Sequence, residues 1–497
     1  METKKNEKEG ISIEELAAFC KRKGFVYPSG EIYGGLSGFW DFGTLGTELK
    51  KNIKQEWWSF FVRRREDMTG IDGSIITHPR VWAASGHVES FSDMSVVCKK
   101  CKKAGKVDKF EIDKAVCSFC GGELDKKNAR NLNLMFSLQV GPVKESSIQS
   151  YLRPETAQLI FTNFKSVFES SRAKLPFGIA QIGKAFRNEI APRDFLFRSR
   201  EFEQMEIEYF IAPGEPCPFE ISDAEVLVYS AEMQSEKKPP KKIKILDALK
   251  RGTIKRDWHA YWLSTCLEWF KEIGCNLDNF RIRQHNKDEL AHYSSDCWDI
   301  EYLFPFGWKE LIGIADRSDY DLSRHEKFSN KDLKIFAEDK GKFLPHVVCE
   351  PSFGVERIFL VLLLEAYKFD KKRDNIVLHF NPKVAPIKAA VFPIVNNQDF
   401  IKLAKEICFE LRKEFNVFYD ASGSIGRRYA RQDESGTPYC ITIDEDSIKK
   451  KNVTIRDRDT TKQIRVKISD LKDTLRKLIC NEIDFEKAGK IVDTRVK

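Results

Sequence analysis

The stretch "AFRNEIAPRDFLFRSREFEQMEIEYF", residues 185–210, alternates charged and aromatic residues along its length. Residues two apart in a β-strand share a face, so we interpret the stretch as the core of a β-hairpin with one polar face. Counted along both arms, that face carries Gln181, Gly183, Ala185, Arg187, Glu189, Phe202, Gln204, Glu206 and Glu208.

The charge on this hairpin has two explanations. An amphipathic hairpin can simply turn its polar side to water. Alternatively, the small residues beside Arg187 leave room for a ligand to lie against the sheet. Under either explanation we expect a second group of charged residues to be solvated, namely Arg193, Asp194, Glu203 and Glu208.

The composition is that of a globular protein of roughly three domains. The chain has 497 residues, of which 42% are hydrophobic and 32% charged, and its net charge is +8. The charged N-terminus "METKKNEKEG" does not resemble a secretory signal, and the longest apolar run, "IFLVLLLEAY" from Ile358, is too short to span a bilayer. Nine of the thirteen cysteines are scattered, which indicates reduced thiols. We expect a cytoplasmic protein without membrane contact.

Four cysteines are clustered in the pattern C-x2-C-x15-C-x2-C. This spacing is typical of a zinc ribbon, in which two tight knuckles bring four thiolates to one tetrahedral ion. A closed four-thiolate site predicts structural Zn2+, although a degenerate ribbon without metal is the alternative. The predicted ligands are Cys98, Cys101, Cys117 and Cys120.

The last 110 residues form a pattern of their own. Strand-like "AAVFPI" (389–394) precedes a helical repeat from Phe400 to Phe415, and "VFYD", "YCITID" and "VTIRDRDTTKQIRVKI" follow before the helix-like "SDLKDTLRKLIC". Alternating strands and helices predict a compact α/β domain. The preceding 380 residues, with the helix at about 46–63, strand-like "YLFPFGWKELIGIAD" and the helix from about 357, predict an α+β domain around an antiparallel sheet. The Lys-rich "SEKKPPKKIKI" (235–245) is expected to be a mobile connection.

Three segments in order resemble the signature motifs of class II aminoacyl-tRNA synthetases. They are "IDGSIITHP" with Pro79, then Phe186-Arg187-x-Glu189 with Arg198-x-x-x-Phe202, then "CEPSFGVERIFLVLLLEAY" (349–367). Further segments narrow the resemblance to the homodimeric glycyl-tRNA synthetase family, from about residue 12 to the C-terminus: "EIYGGLSGFWDFGTLGTELKKNI", "VWAASGHVESFSD", "YLRPETAQLIF", "ELIGIADRSDYDL" and "IGRRYARQDESGTPYCITID". Thr44 and Met94 stand where the family pattern has proline.

The resemblance implies a homodimer that activates glycine with ATP and Mg2+ and transfers it to tRNA(Gly). The implied fold is a class II catalytic domain over 1–384, with the zinc ribbon at 98–120 and an insertion at 214–298, followed by an anticodon-binding domain over 385–497. Two alternatives stay open: a class II synthetase for serine, threonine or proline, and a non-catalytic relative of the synthetases.

Catalytic roles are implied for Arg187, Arg198 and Arg357. A guanidinium at Arg187 can bridge the α-phosphate and the glycine carboxylate, Phe202 would stack on adenine, and the Glu310 carboxylate would help to hold Mg2+. The implied ATP-binding set is Arg187, Asn188, Glu189, Arg198, Ser199, Phe202, Glu310, Leu311 and Arg357.

Glycine offers only an ammonium and a carboxylate, so its recognition depends on charge at short range. The resemblance implies acidic side chains around the ammonium, which would also crowd out a β-carbon. The implied glycine-binding set is Glu155, Glu206, Glu350, Pro351 and Ser352. For Asp316 and Arg317, an internal ion pair and ligand contact are equally compatible with the sequence.

The anticodon of a glycine tRNA ends in two cytosines, whose amino groups carboxylates can accept. The segment "GRRYARQDESG" therefore supplies the implied anticodon contacts, with a solvated charged loop as the alternative. These are Arg427, Arg428 and Arg431 for phosphates, and Asp433 and Glu434 for bases.

Overall fold

The computed structural model describes residues 11–107, 115–117, 120–143, 146–291 and 293–492. Two large hydrophobic cores divide these residues, and the division falls between Ala385 and Ala389. None of the helices within the described ranges is long and apolar enough to cross a membrane.

The predicted hairpin lies inside the main sheet. Its two arms pair antiparallel, with Ala185 opposite Phe202 and Gln181 opposite Glu206. Among the described residues, nine strands form this sheet in the spatial order Lys241–Lys244, Glu225–Tyr229, Phe280–Gln284, Asp296–Phe304, Gly307–Asp316, His346–Gly354, Glu201–Ile211, Phe177–Phe186 and Met68–Ile71. All neighbours are antiparallel except the last pair and the pair of the second and third strands. The predicted α+β class with an antiparallel sheet is confirmed.

Two helices and the central strand are joined by buried charge. Lys50 on helix Thr44–Trp58 donates to Glu356 on helix Val355–Ala366 over 2.6 Å and lies 3.3 Å from Glu203 of the central strand. The remaining α-helices of the first core are Ile13–Lys23, Pro79–Ser85, His87–Ser90, Ala157–Ser171, Ala231–Ser235, Ile245–Lys250, Asp257–Glu272 and Tyr320–Ser329. This buried charge joins the second and third motif segments on the face of the sheet that carries Glu203.

Short strands complete this part of the chain. They pair as small two- and three-stranded sheets at its periphery, including the sheet of the cysteine-rich segment. Their bounds are Val26–Pro28, Trp40–Phe42, Ile76–Thr77, Ser92–Val97, Ala104–Val107, Arg130–Asn133, Ser137–Val140, Ile148–Leu152, Ile335–Ala337, Gly341–Phe343, Tyr367–Asp370 and Asn375–Leu378.

The C-terminal core is a mixed sheet covered by helices. Ala389–Pro393 runs parallel to both of its neighbours, and the later strands are antiparallel. The strand order is Val417–Tyr419, Ala389–Pro393, Tyr439–Ile443, Asn452–Asp457, Gln463–Lys467 and Lys490–Val492. The helices are Gln398–Arg412, Ile425–Ser435, Glu445–Lys450 and Leu471–Ile479. This agrees with the predicted α/β domain.

The structure adds to the sequence predictions in two segments. The strand-like stretch 302–316 contains the turn of a hairpin, because it covers the end of strand Asp296–Phe304 and the whole of strand Gly307–Asp316. The Lys-rich stretch 235–245 is not simply a connection, because Lys241–Lys244 forms the edge strand of the main sheet. Lysine on an exposed edge discourages pairing with a second sheet.

Candidate active site

One face of the main sheet carries small residues near its centre, which leave space above the sheet. Directly paired residues of antiparallel strands share a face, and the pairing across four strands brings Asp299, Gly313, Ser352 and Glu206 into one row. The neighbouring rows supply the other members of this floor. The small residues of the floor are Gly183, Ala185, Gly313, Ala315 and Gly354.

An open cleft of about 400 Å³ lies on this floor, and we call it the arginine cleft. Its lining includes every residue implied for ATP except Asn188. The Arg187 guanidinium lies 5.3 Å from the centre of the Phe202 ring, and the Arg357 guanidinium 4.5 Å from that of Phe197. Both cations are held over aromatic faces at the edges of an open space.

Carbonyl and carboxylate oxygens of the protein position the arginines of the cleft. Arg187 gives its Nε–H to the Pro154 carbonyl at 3.0 Å, and Arg357 gives one Nη1–H to the Glu310 carbonyl at 3.0 Å. Arg198 bonds through Nε to the buried Glu189 carboxylate at 2.8 Å. Each arginine is therefore positioned by a contact on one edge of its guanidinium.

Four buried carboxylates lie at the inner end of the same face: Glu155, Glu206, Glu208 and Glu350. We call this group the acidic pocket. Carboxylate oxygens of Glu206, Glu208 and Glu350 lie within 4.8 Å of one another. Ser352, which pairs with Glu206 across the strands, also lines the arginine cleft, so the two regions adjoin.

A buried arginine holds two acidic groups beside the pocket. Arg317 donates through Nη1 to both Glu350 oxygens at 2.9 and 2.8 Å, and through Nε and Nη2 to Asp321 at 2.7 and 2.8 Å. Gln158 then bonds Asp321 at 2.9 Å and Glu155 at 3.0 Å. The sequence left open whether Arg317 forms an internal ion pair or contacts a ligand. The structure places it in ion pairs with Asp321 and Glu350.

The four carboxylates differ in their affinity for protons. Burial raises the pKa of Glu208 well above its ordinary value, and the neighbouring Glu350 and Glu206 raise it further. Burial and the charge of Glu155 also raise the pKa of Glu206. Burial opposes ionisation of Glu155 too, but the charge and hydrogen bond of His87 hold its pKa below its ordinary value.

Glu208 is the least satisfied group of the pocket. Both of its carboxylate oxygens are buried without a hydrogen-bond partner within the described residues. Burial raises the pKa of Glu350 as well, while the charge of Arg317 and its two bonds to the Glu350 oxygens favour the ionised form. Among the four carboxylates, Glu208 therefore has the least support for a negative charge within the described residues.

The four predicted metal ligands come together in the ribbon. The Sγ atoms of Cys98, Cys101, Cys117 and Cys120 all lie within 4.8 Å of one another. The two knuckles match, because Cys98 N–H bonds the Lys103 carbonyl and Cys117 N–H bonds the Gly122 carbonyl, each at 2.9 Å. Backbone N–H groups of Lys100 and Cys101 donate to Cys98 Sγ at 3.3 and 3.4 Å. Four sulfurs in this arrangement fit a tetrahedral Zn2+.

Family models match both halves of the chain. The tRNA synthetase class II core domain (G, H, P, S and T) matches residues 142–367, and an anticodon binding domain matches residues 388–478. The glycine--tRNA ligase of Treponema denticola is 42% identical over 93% of this chain and 96% of its own length. Those of Borreliella burgdorferi (43%, 96% and 100%) and Clostridium kluyveri (43%, 94% and 98%) are equally similar. The chain belongs to the glycine--tRNA ligase family.

A solved structure shares the fold of this glycine--tRNA ligase family member at low sequence identity. Prolyl-tRNA synthetase from Cryptosporidium parvum, complexed with L-proline and AMP, superposes with a TM-score of 0.56. The match covers 95% of this chain and 79% of that one at 13% identity, and it therefore supports the fold alone.

Two charged residues of the hairpin are not solvated, contrary to expectation. Glu208 is fully buried in the acidic pocket. Glu203 is nearly buried on the opposite face, where Lys54 lies 2.7 Å from it. Arg193 and Asp194 are part of the cleft wall. The alternation in the sequence identified the polar face, but the covering elements that bury these carboxylates come from distant parts of the chain.

Two residues of the implied substrate sets lie away from the substrate face of the ligase. Pro351 pairs with Ile314, on the side of the strand opposite Glu350 and Ser352. Asn188 is exposed and outside the cleft wall, and its backbone N–H donates to the Leu134 carbonyl at 2.7 Å. The side chain of Pro351 therefore does not face the acidic pocket.

The segment implied for the anticodon is a helix, Ile425–Ser435, and not a loop. Arg456 bonds both oxygens of the buried Asp433 at 2.8 and 3.0 Å, and Arg373 adds a third bond. The buried Arg428 donates to the carbonyls of Pro393 and Gly423. The predictions that Asp433 reads a base and that Arg428 binds phosphate are therefore wrong.

Three members of the implied anticodon set lie nearer the surface. Arg427 and Arg431 are exposed, and Arg431 is 2.5 Å from Asp420. The partly buried Glu434 pairs with Lys23 of the first helix. Arg427 and Arg431 lie on one exposed part of helix Ile425–Ser435.

Residues that the sequence interpretation missed form the walls of the acidic pocket. Glu208, Gln158, Asp321 and Arg317 belong to this group, as does His87. The signal for Arg317 and His87 was present in the ligase-like segments "ADRSDYDL" and "SGHVESF". Their partners were not visible, because each partner lies far away in the chain.

Proposed function

We propose that this protein is a glycine--tRNA ligase, which joins glycine to tRNA(Gly) at the expense of ATP. The observation that carries the proposal is the juxtaposition on one sheet face of a cleft lined by arginines and a pocket of buried carboxylates. ATP is a polyanion, and glycine is a zwitterion with one carboxylate and one ammonium. A site for both therefore needs guanidinium groups next to carboxylates.

In the first step a glycine carboxylate oxygen attacks the α-phosphorus of ATP. A carbon–oxygen–phosphorus link forms, the bond from the α-phosphorus to the bridging oxygen breaks, and pyrophosphate leaves with that electron pair. A carboxylate is nucleophilic at neutral pH, so no general base is needed. Arg187 would hold the two anions together, with Phe202 beneath the adenine and Arg198 and Arg357 at the phosphates.

In the second step the 3′-terminal ribose hydroxyl of tRNA attacks the carbonyl carbon of glycyl-adenylate. The new ester bond forms, the mixed anhydride bond breaks, and AMP leaves with that electron pair while the hydroxyl proton is released to a phosphate oxygen or to water. The open mouth of the arginine cleft leaves an approach for this terminal nucleotide.

The acidic pocket explains the choice of amino acid. Glu155, Glu206 and Glu350 would surround the ammonium with Ser352, while the crowded carboxylates exclude a β-carbon. Rejecting a larger substrate by lack of space is effective, and no amino acid is smaller than glycine. Serine, threonine and proline all require room that four carboxylates occupy.

Glu310 would hold Mg2+ at the phosphate end of the cleft. Its half-exposed carboxylate lies 3.4 Å from Arg357 and lines the cleft, and hard oxygen ligands of this kind suit the ion. When bound, Mg2+ neutralises charge on the ATP phosphates.

We further propose that the enzyme is a cytoplasmic homodimer. The family resemblance supports the dimer, with its interface at the first motif. All thirteen cysteines fall within the described ranges and none is in a disulfide, which favours a reducing compartment. For tRNA, Arg427 and Arg431 remain candidates for phosphate contacts near the anticodon.

Structural zinc in the ribbon gives the first testable prediction. Purified protein should contain about one equivalent of zinc, and Cys117→Ser should lose it. Cys297→Ser is a matched control, because Cys297 lies beside His285 and Asp299 in another buried group of possible ligands. Well under one equivalent in the unaltered protein, or equal loss in both variants, would remove the ribbon site.

The function is tested by ATP–pyrophosphate exchange with single amino acids. Glycine should support exchange, whereas serine, threonine and proline should not. Exchange with serine and none with glycine would refute the assignment, and no exchange with any amino acid would favour a non-catalytic relative.

A further inference from the structure

The imidazole of His87, which lies outside the three motif segments, contacts the acidic pocket. His87 Nε2 lies 3.2 Å from Glu155 Oε2, and His87 Nδ1 lies 2.8 Å from Ser85 Oγ. All three side chains are buried, with exposed fractions of 2% for Ser85, 5% for His87 and 7% for Glu155. They form a linear chain of hydrogen-bonding groups that ends on a carboxylate implied to meet the glycine ammonium.

The direction of the hydrogen bond to Glu155 follows from the donors available. Ser85 Oγ lies 3.2 Å from the Trp82 carbonyl and 2.8 Å from His87 Nδ1, and its one proton can serve either acceptor. At the other end of the ring, only a protonated Nε2 can donate to the Glu155 carboxylate. An Nε2–H group therefore faces Glu155 in both arrangements.

The imidazole is fixed in this orientation by its surroundings. The ring lies between those of Trp82 and Phe91, with centres at 5.3 and 5.2 Å. The His87 carbonyl accepts from the Asn133 side chain at 3.2 Å. Gly86, with a φ of +87°, makes the tight turn between the two short helices that presents His87.

We propose that His87 is a positioning residue for glycine binding, which holds Glu155 ionised and oriented through a Ser85–His87–Glu155 chain. This inference rests on the proposed function, because it assigns Glu155 to the glycine ammonium. His87 itself does not touch the substrate. Gln158 holds the other Glu155 oxygen at 3.0 Å, so both oxygens have a fixed donor.

The positioning role of His87 follows from the different hydrogen-bond donors of the four carboxylates. Glu206 and Glu350 each have a donor of their own, Thr156 and Arg317, whereas Glu208 has none within the part of the chain that the structure describes. Four carboxylates at short range cannot all be ionised in a buried space. The Nε2–H donor of His87 therefore favours the ionised form of Glu155 before glycine arrives.

Two substitutions of His87 test the contacts of its two ring nitrogens separately. His87→Gln retains a donor that can reach Glu155, whereas His87→Asn retains only the shorter reach toward Ser85. In glycine-dependent exchange, His87→Asn should raise the KM for glycine about tenfold or more, the effect of removing a hydrogen bond to a charged group. His87→Gln should raise it by less than about fivefold. The KM for ATP should stay unchanged in both.

The controls distinguish positioning from a general loss of structure. Both variants should still unfold cooperatively on heating, with similar losses of stability, and His87→Asn should add no further effect on the KM for glycine to Glu155→Gln. Equal effects of the two His87 substitutions, or parallel changes in both KM values, would overturn the positioning role. Absence of exchange in the unaltered protein would instead contradict the proposed function.

Discussion

The arginine cleft and the acidic pocket occupy one sheet face, yet their charges are held in opposite ways. Two cleft arginines, Arg187 and Arg357, rest on aromatic rings beside open space. The pocket carboxylates are buried, and most are fixed by partners such as Arg317. The open cleft therefore suits the proposed binding of ATP phosphates, and the buried pocket suits the proposed binding of the glycine ammonium.

The largest expected effect comes from the cleft. Arg187→Ala should reduce glycine-dependent exchange by roughly 100-fold or more, because a preorganised donor to the charge that develops at phosphorus is worth about 3 kcal/mol. Arg193→Ala is the matched control, since Arg193 lines the same cleft but its side chain is about half exposed. Rates of exchange measured for both at saturating ATP check the prediction. Retained exchange in Arg187→Ala would contradict the proposed mechanism.

The boundary between the two regions is tested at Gly313. A methyl group there would meet only Asp299 and Glu310 side-chain oxygens, at an ordinary 3.8 Å. Gly313→Ala should therefore fold normally. Its methyl group would occupy space above the sheet beside the substrate and raise the KM for glycine about tenfold.

Gly183→Ala supplies the contrast. The methyl group would lie 2.0 Å from a guanidinium nitrogen of the buried Arg153, which donates to the Gly73 carbonyl at 2.7 Å. This variant should lose stability in thermal unfolding by about 1–3 kcal/mol, the typical cost of overpacking. An equal loss of stability in Gly313→Ala would contradict the claim that there is open space above Gly313.

The smallest effect concerns the pH dependence of glycine binding. The raised pKa of Glu208 leaves it protonated in the free enzyme, and an arriving ammonium favours the ionised form. Binding therefore releases a proton, so affinity improves as pH rises while the pH stays below that pKa. The KM for glycine should therefore fall as the pH rises through values below the raised pKa of Glu208.

A neutral variant sharpens this pH test. Glu208→Gln cannot release the proton, so its KM for glycine should vary less with pH than that of the unaltered enzyme. The KM for ATP serves as the internal reference. The same pH dependence in both proteins would show that Glu208 is not the titrating group.

Local patterns in the sequence predicted the parts of the site that depend on local geometry. Alternation along residues 185–210 placed Arg187, Phe202 and Glu206 on one face, and the cysteine spacing placed four sulfurs together. Family motifs named the cleft arginines. These features depend on the strand period and on short knuckles, which are determined within a few residues.

Other features depend on elements that meet only in the folded chain. Asp433 looked like part of a charged loop, but Arg456 from a neighbouring strand and Arg373 from the connecting segment enclose it. The burial of Glu208 likewise requires the strand that carries Glu350. Nothing in the local charge pattern separates a buried partner from a solvated one.

The strand Glu201–Ile211 restricts where residues can be inserted into the sequence. Phe202 and Glu206, which would meet the adenine and the ammonium, lie four residues apart on this strand, or about 13 Å at the usual rise. The strand thus acts as a ruler between the two ends of the adenylate. One inserted residue would turn one end to the wrong face, and two would move it by about 6.6 Å. Variation in length is compatible with activity in the loop before this strand, but not between Phe202 and Glu206.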